Sequence, residues 1–132
     1  MSHVILLCAD RPLPLYDSHT RRVRAEGSVT VERDGFSVQA NEYYRAAVEE
    51  LDFPMKPCRY ELDLEPTGQD AGLLRTYLER HLRPGEKAQL WSVWVPRYPE
   101  DSLSRYRGRL EDLDGDALAP LEGWNVCMTV ER

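Results

Sequence analysis

Along this chain the apolar positions alternate with polar ones in short blocks, and in two places they recur at helical spacing. The clearest block covers residues 67–95. Leu73, Leu74, Tyr77, Leu78 and Leu82 fall at i, i+3 and i+4 intervals, with Arg75, Glu79 and Arg80 off that stripe, which predicts an amphipathic helix. Thr67, with Asp70 three positions on, suits its start. Arg80, His81 and Arg83 suit the negative end of its dipole, and Pro84-Gly85 stops it. Residues 88–95 are apolar on both faces, so they predict a strand inside a sheet.

The remaining blocks supply more strands and a second helix. Residues 4–9 form a continuous apolar run, hence an interior strand, and two prolines make 10–16 an extended loop or edge segment. Asp17-Ser18-His19-Thr20 has the chemistry of a turn. Val23, Ala25, Gly27, Val29 and Val31 alternate with polar residues, predicting one half-buried strand; Asp34-Gly35 then predicts a hairpin that sets Val31 against Val38 and Val29 against Ala40. Asn41 is placed to cap a helix over 42–51 with Tyr44, Ala47, Val48 and Leu51 on one stripe. Residues 59–65 alternate with Tyr60, Leu62 and Leu64 inward.

Beyond residue 95 the pattern weakens. Residues 96–101 read as a loop, 103–110 as a short helix or an irregular strand, and 110–121 as a short helix broken by Gly115 and Pro120. Trp124, Val126, Met128 and Val130 alternate in a last strand. The expected fold is therefore α+β: one domain spanning 1–132, with a mixed sheet of five or six strands and two or more helices packed on one face. The strand–helix–strand unit around 67–82 favours parallel neighbours. The face left bare calls for a cover, either the 96–123 segment or a second subunit.

Composition narrows the classes. The 132 residues allow a core without metal or disulfide staples, and no apolar run approaches a membrane span. Residues 1–10 lack a basic leader and read as a strand, not a signal peptide. Cys8, Cys58 and Cys127 are an odd set without metal spacing, which suits a reducing cytoplasm. The net charge of −6 argues against a nucleic-acid partner held by a basic face. Arginine displaces lysine, which occurs only at Lys56 and Lys87; by compositional association that skew points to a GC-rich bacterial genome.

Candidate chemistry is sparse. His3, His19 and His81 sit in no metalloprotease or nucleophile-elbow context. Asp17-Ser18-His19 supplies acid, hydroxyl and imidazole, but adjacent residues seldom converge as a catalytic unit. Cys58 beside Arg59 is the least buried thiol and lacks a nominated base. Asp112, Asp114 and Asp116 resemble the opening of a calcium loop, yet the sixth position is Ala117 and the twelfth Gly123, so the match fails. Glu61, Asp63 and Glu65 recur every second residue and so share one strand face, roughly 6.5–7 Å apart. Such a row is neutralised by arginines, Arg22 and Arg24 being the candidates, or it meets a basic partner.

These features predict a non-enzymatic, acidic, cytoplasmic binding protein of the immunity or antitoxin class. It would dock a basic protein through Glu61, Asp63, Glu65, Asp112, Asp114 and Asp116, without cofactor, metal, nucleic acid or membrane. The alternatives are a small-molecule-binding or hydrolytic enzyme recruiting His19 or Cys58, and a homodimeric structural subunit.

Overall fold

Residues 4–9 lie where a strand apolar on both faces has to lie, in the middle of a sheet. The computed structural model describes residues 2–96 and 102–132. Its strands are β1 (Ser2–Ala9), β2 (Tyr16–Asp17), β3 (Arg21–Glu26), β4 (Val29–Asp34), β5 (Ser37–Ala40), β6 (Cys58–Asp63), β7 (Lys87–Val95), β8 (Ser104–Arg109) and β9 (Val126–Glu131). The helices are α1 (Arg45–Glu49), α2 (Gly68–His81) and α3 (Gly115–Leu118), the last flanked by 3-10 turns at Leu110–Asp112 and Ala119–Glu122. The class is α+β.

Seven strands, not five or six, form one sheet in the order β2-β5-β6-β1-β7-β9-β8, while β3 and β4 pair only with each other. The two extra strands are the sheet's edges, which carry the weakest patterns in the sequence. All neighbours are antiparallel except β8 and β9. β6 and β7 run the same way, as the connecting helix predicts, but β1 is inserted antiparallel between them. They are not neighbours.

Both sheet faces are covered. On one, Leu7, Leu62, Leu90, Met128 and Val130 pack under Leu74, Tyr77 and Leu78 of α2 and under Leu110, Leu113, Leu118 and Leu121. Each buried leucine there is worth about 2 kcal/mol relative to exposure. On the other, Val4, Leu6, Cys8, Trp91, Val93 and Cys127 pack under Val48, Leu51 and Met55. The cover for this second face is thus α1 and the loop after it. Of the expected cover, residues 96–123, Leu103 packs on this face, but Leu110, Leu113, Leu118 and Leu121 lie on the α2 side, so the helices are divided between the faces.

α2 starts as its sequence predicts. Thr67 Oγ1 accepts from the Asp70 N–H at 3.2 Å. Its far end differs: the side chains that reach the last carbonyls are Arg11, on that of His81, and Arg132, on that of Leu82. Burial, then Arg80 and Arg11, lower the pKa of His81, and Arg80 stands beside it in the last turn as the sequence predicts. Arg11 also forks onto Glu86 at 2.6–3.1 Å, and the Arg83 N–H adds 2.6 Å. Those bonds hold the Glu86 carboxyl down from 4.5 to about 2. A depressed carboxylate stabilises the fold above its unfolded pKa, and that contribution disappears as pH falls from 4.5 through 2. Arg11→Gln is expected to return the Glu86 midpoint toward the ordinary range and to flatten this part of the acid loss. Carboxyl NMR titration with urea melts at stepped pH reads both effects, and an unmoved midpoint would contradict the assignment.

Two local expectations are corrected. The hairpin turn is Gly27-Ser28, with Glu26 opposite Val29 and Gly27 at φ +63, and not Asp34-Gly35. Gly35 instead lets its backbone close on Thr20: its N–H donates to the Thr20 carbonyl at 2.9 Å, and an added Cβ would overlap Thr20 Oγ1. Val38 consequently faces Tyr16 and Leu62, not Val31. The second correction is α1, which begins after Tyr44 without a side-chain cap, so Asn41 does not cap it. The Tyr44 N–H donates to Glu61 Oε2 at 3.2 Å, and two adjacent tyrosines of modest helix propensity keep the helix short. The 103–110 ambiguity resolves as a strand, and 110–121 as α3 between its two turns. Of the loop expected at 96–101, residues 97–101 fall outside the described residues.

Candidate functional site

The β3–β4 hairpin stands off the sheet with both faces open. Its register puts Val23 opposite Glu32 and Val31 opposite Arg24, so its valines fall on opposite faces and no apolar side forms. Val23 is 63% exposed and Val29 61%, where the sequence pattern predicts both half-buried. One inward side chain ties the arm to the body. Arg22 donates to Asp63 Oδ1 at 2.7 Å, to the Asp63 carbonyl at 3.2 Å and to Asp70 Oδ2 at 2.5 Å. Glu65 Oε2 lies 3.8 Å from the same guanidinium. Asp70 is only 1% exposed and also accepts the Glu65 N–H at 2.8 Å. A buried carboxylate held this way needs its cation.

Two open grooves flank the base of the arm, and both are bordered by Asp34 and Asp63. One, about 470 Å³, adds Asp17 along with Leu15, Tyr16 and Gln39. The other, about 550 Å³, adds Glu32 and Glu65 beside Arg21, Arg22 and Arg33. Arg22 is committed to Asp63 and Asp70, and Arg21 pairs with Asp34. Arg24, expected to share in neutralising the strand row, turns to Glu26 at 4.0 Å. Asp17 spends one oxygen on the His19 N–H at 2.8 Å, closing a turn in which His19 takes φ +55.

The six acids singled out in the sequence divide into two groups. Glu61, Asp63 and Glu65 lie on and beyond β6, with Asp63 and Glu65 at the arm and Glu61 under the start of α1. Asp112 and Asp116 line a cavity beside β8, and Asp114 precedes Gly115, which packs on Thr67 and Gly68 at the start of α2. Asp114 there caps α3 by accepting the Ala117 N–H at 2.8 Å. The structure places no residue of the second group in either groove at the arm. It adds Asp17, Glu32 and Asp34 to the first, which sequence spacing does not reveal, because they come from the turn and the hairpin beside β6.

Reactive groups fare differently. His19 is exposed, its ring 3.8 Å from Asp17 Oδ2. Cys58 is half-buried at the start of β6, while burial pushes Cys8 up to about 12 and also raises Cys127. A contact the sequence hides joins His3 and Ser92: Nε2 lies 2.5 Å from Oγ, and the ring stacks on Trp94 with centroids 5.1 Å apart. The Ser92 hydroxyl donates to the Gly123 carbonyl at 2.5 Å, so its only proton is committed. His3 Nε2 is then the donor to Oγ, the reverse of what a base activating a nucleophile requires. Among the described residues no three His, Cys, Asp or Glu side chains form a metal-binding group, and no helix is long and apolar enough to cross a membrane. Comparison with protein-family models, with curated proteins and with solved structures gives no match.

Proposed function

We propose that this chain is a non-enzymatic binding protein that docks a basic protein partner at the base of the β3–β4 hairpin, resembling immunity and antitoxin proteins in class only. The observation that carries this reading is the pairing of an arm open on both faces with two grooves bordered by Asp17, Glu32, Asp34, Asp63 and Glu65. Arg22 fixes the arm and part of the carboxylate set before any partner arrives, which lowers the ordering cost of association. The arm's exposed valines supply apolar area beside the charge. A cytoplasmic setting belongs to the same proposal and draws on the three free cysteines. The homodimer alternative loses its motive, since α1 covers the second apolar face.

The test uses a fluorescein-labelled arginine nonapeptide and anisotropy at low salt. Asp17→Lys with Glu65→Lys is expected to weaken binding about tenfold, and a charge-matched control, Glu49→Lys with Glu50→Lys on the outer side of α1, by no more than about twofold. Equal losses in the two variants would mean that net charge alone attracts the peptide, and the groove assignment would fall. Asp63 is left intact in this design because replacing it would also disturb Arg22 and Asp70.

A further inference from the structure

The edge of the sheet farthest from the hairpin carries a row of three arginines, with Asp112 and Asp116 nearby. β8 pairs with β9 on one side, and among the described residues nothing pairs with its other side. All six of its residues are exposed. A free edge of this length is a template for one more strand. Arg105, Arg107 and Arg109 share one face of it, spaced by two, with Arg109 already paired to Glu111 at 3.0 Å. The other face has Tyr106 beside Met128 and Gly108 beside Val130.

Gly108 shapes that second face. An added Cβ would meet nothing within 4 Å, so the glycine is required neither by crowding nor by a left-handed backbone. It borders a cavity of about 260 Å³ whose apolar lining is Leu113, Ala117, Pro120, Met128 and Val130, with Asp112 and Asp116 also on its wall. Glycine inside a strand weakens it, and its use often marks the close approach of another backbone or a ligand.

From these features we propose that β8 receives an extended peptide segment as an eighth strand, with acidic side chains set against the arginine row and apolar ones entering the cavity beside Gly108. Charge selects the occupant. A second copy of β8 laid antiparallel would bring arginines against arginines, and a basic segment would be repelled for the same reason. An alternation of glutamate or aspartate with leucine satisfies both faces at once, because side chains in a strand alternate between faces. This surface is separate from the hairpin grooves, so either proposal can fail alone.

A fluorescein-labelled heptapeptide alternating glutamate and leucine tests the proposal by anisotropy on the intact chain. Binding is expected to weaken about tenfold with Arg107→Glu, and as much when the peptide's glutamates become lysines. Gly108→Val, whose side chain has room and suits a strand, is expected to narrow the cavity and cost a similar factor while the circular dichroism spectrum is kept and the melting temperature does not fall. N-methylation of alternate peptide nitrogens on the pairing edge is expected to abolish binding. Failure of the glutamate–leucine peptide to bind at millimolar concentration would overturn the proposal and leave the arginines as guards against aggregation. Equal binding of the lysine peptide, or retained binding after N-methylation, would overturn it too.

Discussion

Arg22→Ala is expected to destabilise the protein by about 3 kcal/mol, near the cost of stranding one member of a buried ion pair. The magnitude follows from Asp70, which is 1% exposed and loses its 2.5 Å guanidinium contact while staying inside the fold. Arg22→Lys is expected to recover only part of the loss, since one ammonium cannot span Asp63, Asp70 and the carbonyls of Asp34 and Asp63 together. Urea denaturation of both variants measures this. A loss below about 1 kcal/mol for alanine, the range of an exposed pair, would show that the carboxylate is solvated and the arm untethered.

Trp91→Ala is expected to cost about 3–5 kcal/mol, the range for emptying a large aromatic site in a core. Trp91 is fully buried in β7, its ring stacked on Phe53 with centroids 5.5 Å apart and its Nε1–H donated to Gln89 Oε1 at 3.0 Å. Its face of the sheet is held down by one short helix and the loop after it, so the cavity has few neighbours able to collapse inward. Trp124→Ala, at 44% exposure, is the contrast and is expected to cost under half as much. Calorimetric melts rank the two, and near-equal losses would refute the two-core arrangement.

Residues 67–95 were legible because period, cap and stop agree, and α2 and β7 lie where that agreement puts them. The hairpin was not, because Gly27-Ser28 and Asp34-Gly35 both offer turns and the alternating pattern favours the second. The choice depended on Phe36 and Val38, which gain more by joining the sheet core than by facing Arg33 and Val31 across an exposed arm. Cover on the second face was misassigned because the stripe at Tyr44, Ala47, Val48 and Leu51 announces a helix but not the side of the sheet it takes. At the candidate site, the strand row 61-63-65 was visible, but Arg22 reaches Asp63 and Asp70 across 41 and 48 positions. No local pattern encodes such a pair. The same holds for His3 and Ser92, 89 positions apart.

Amide hydrogen exchange, run with and without the arginine nonapeptide, tests the central claim most directly: the arm is surplus to the core and open to a basic partner. The expected result is slow exchange in β1 and β7, fast exchange in β3 and β4 beyond Arg22, and new protection at Asp17, Asp34 and Gly35 once peptide is added. An arm as protected as β7 in the free protein, or peptide-induced protection confined to other surfaces, would contradict it.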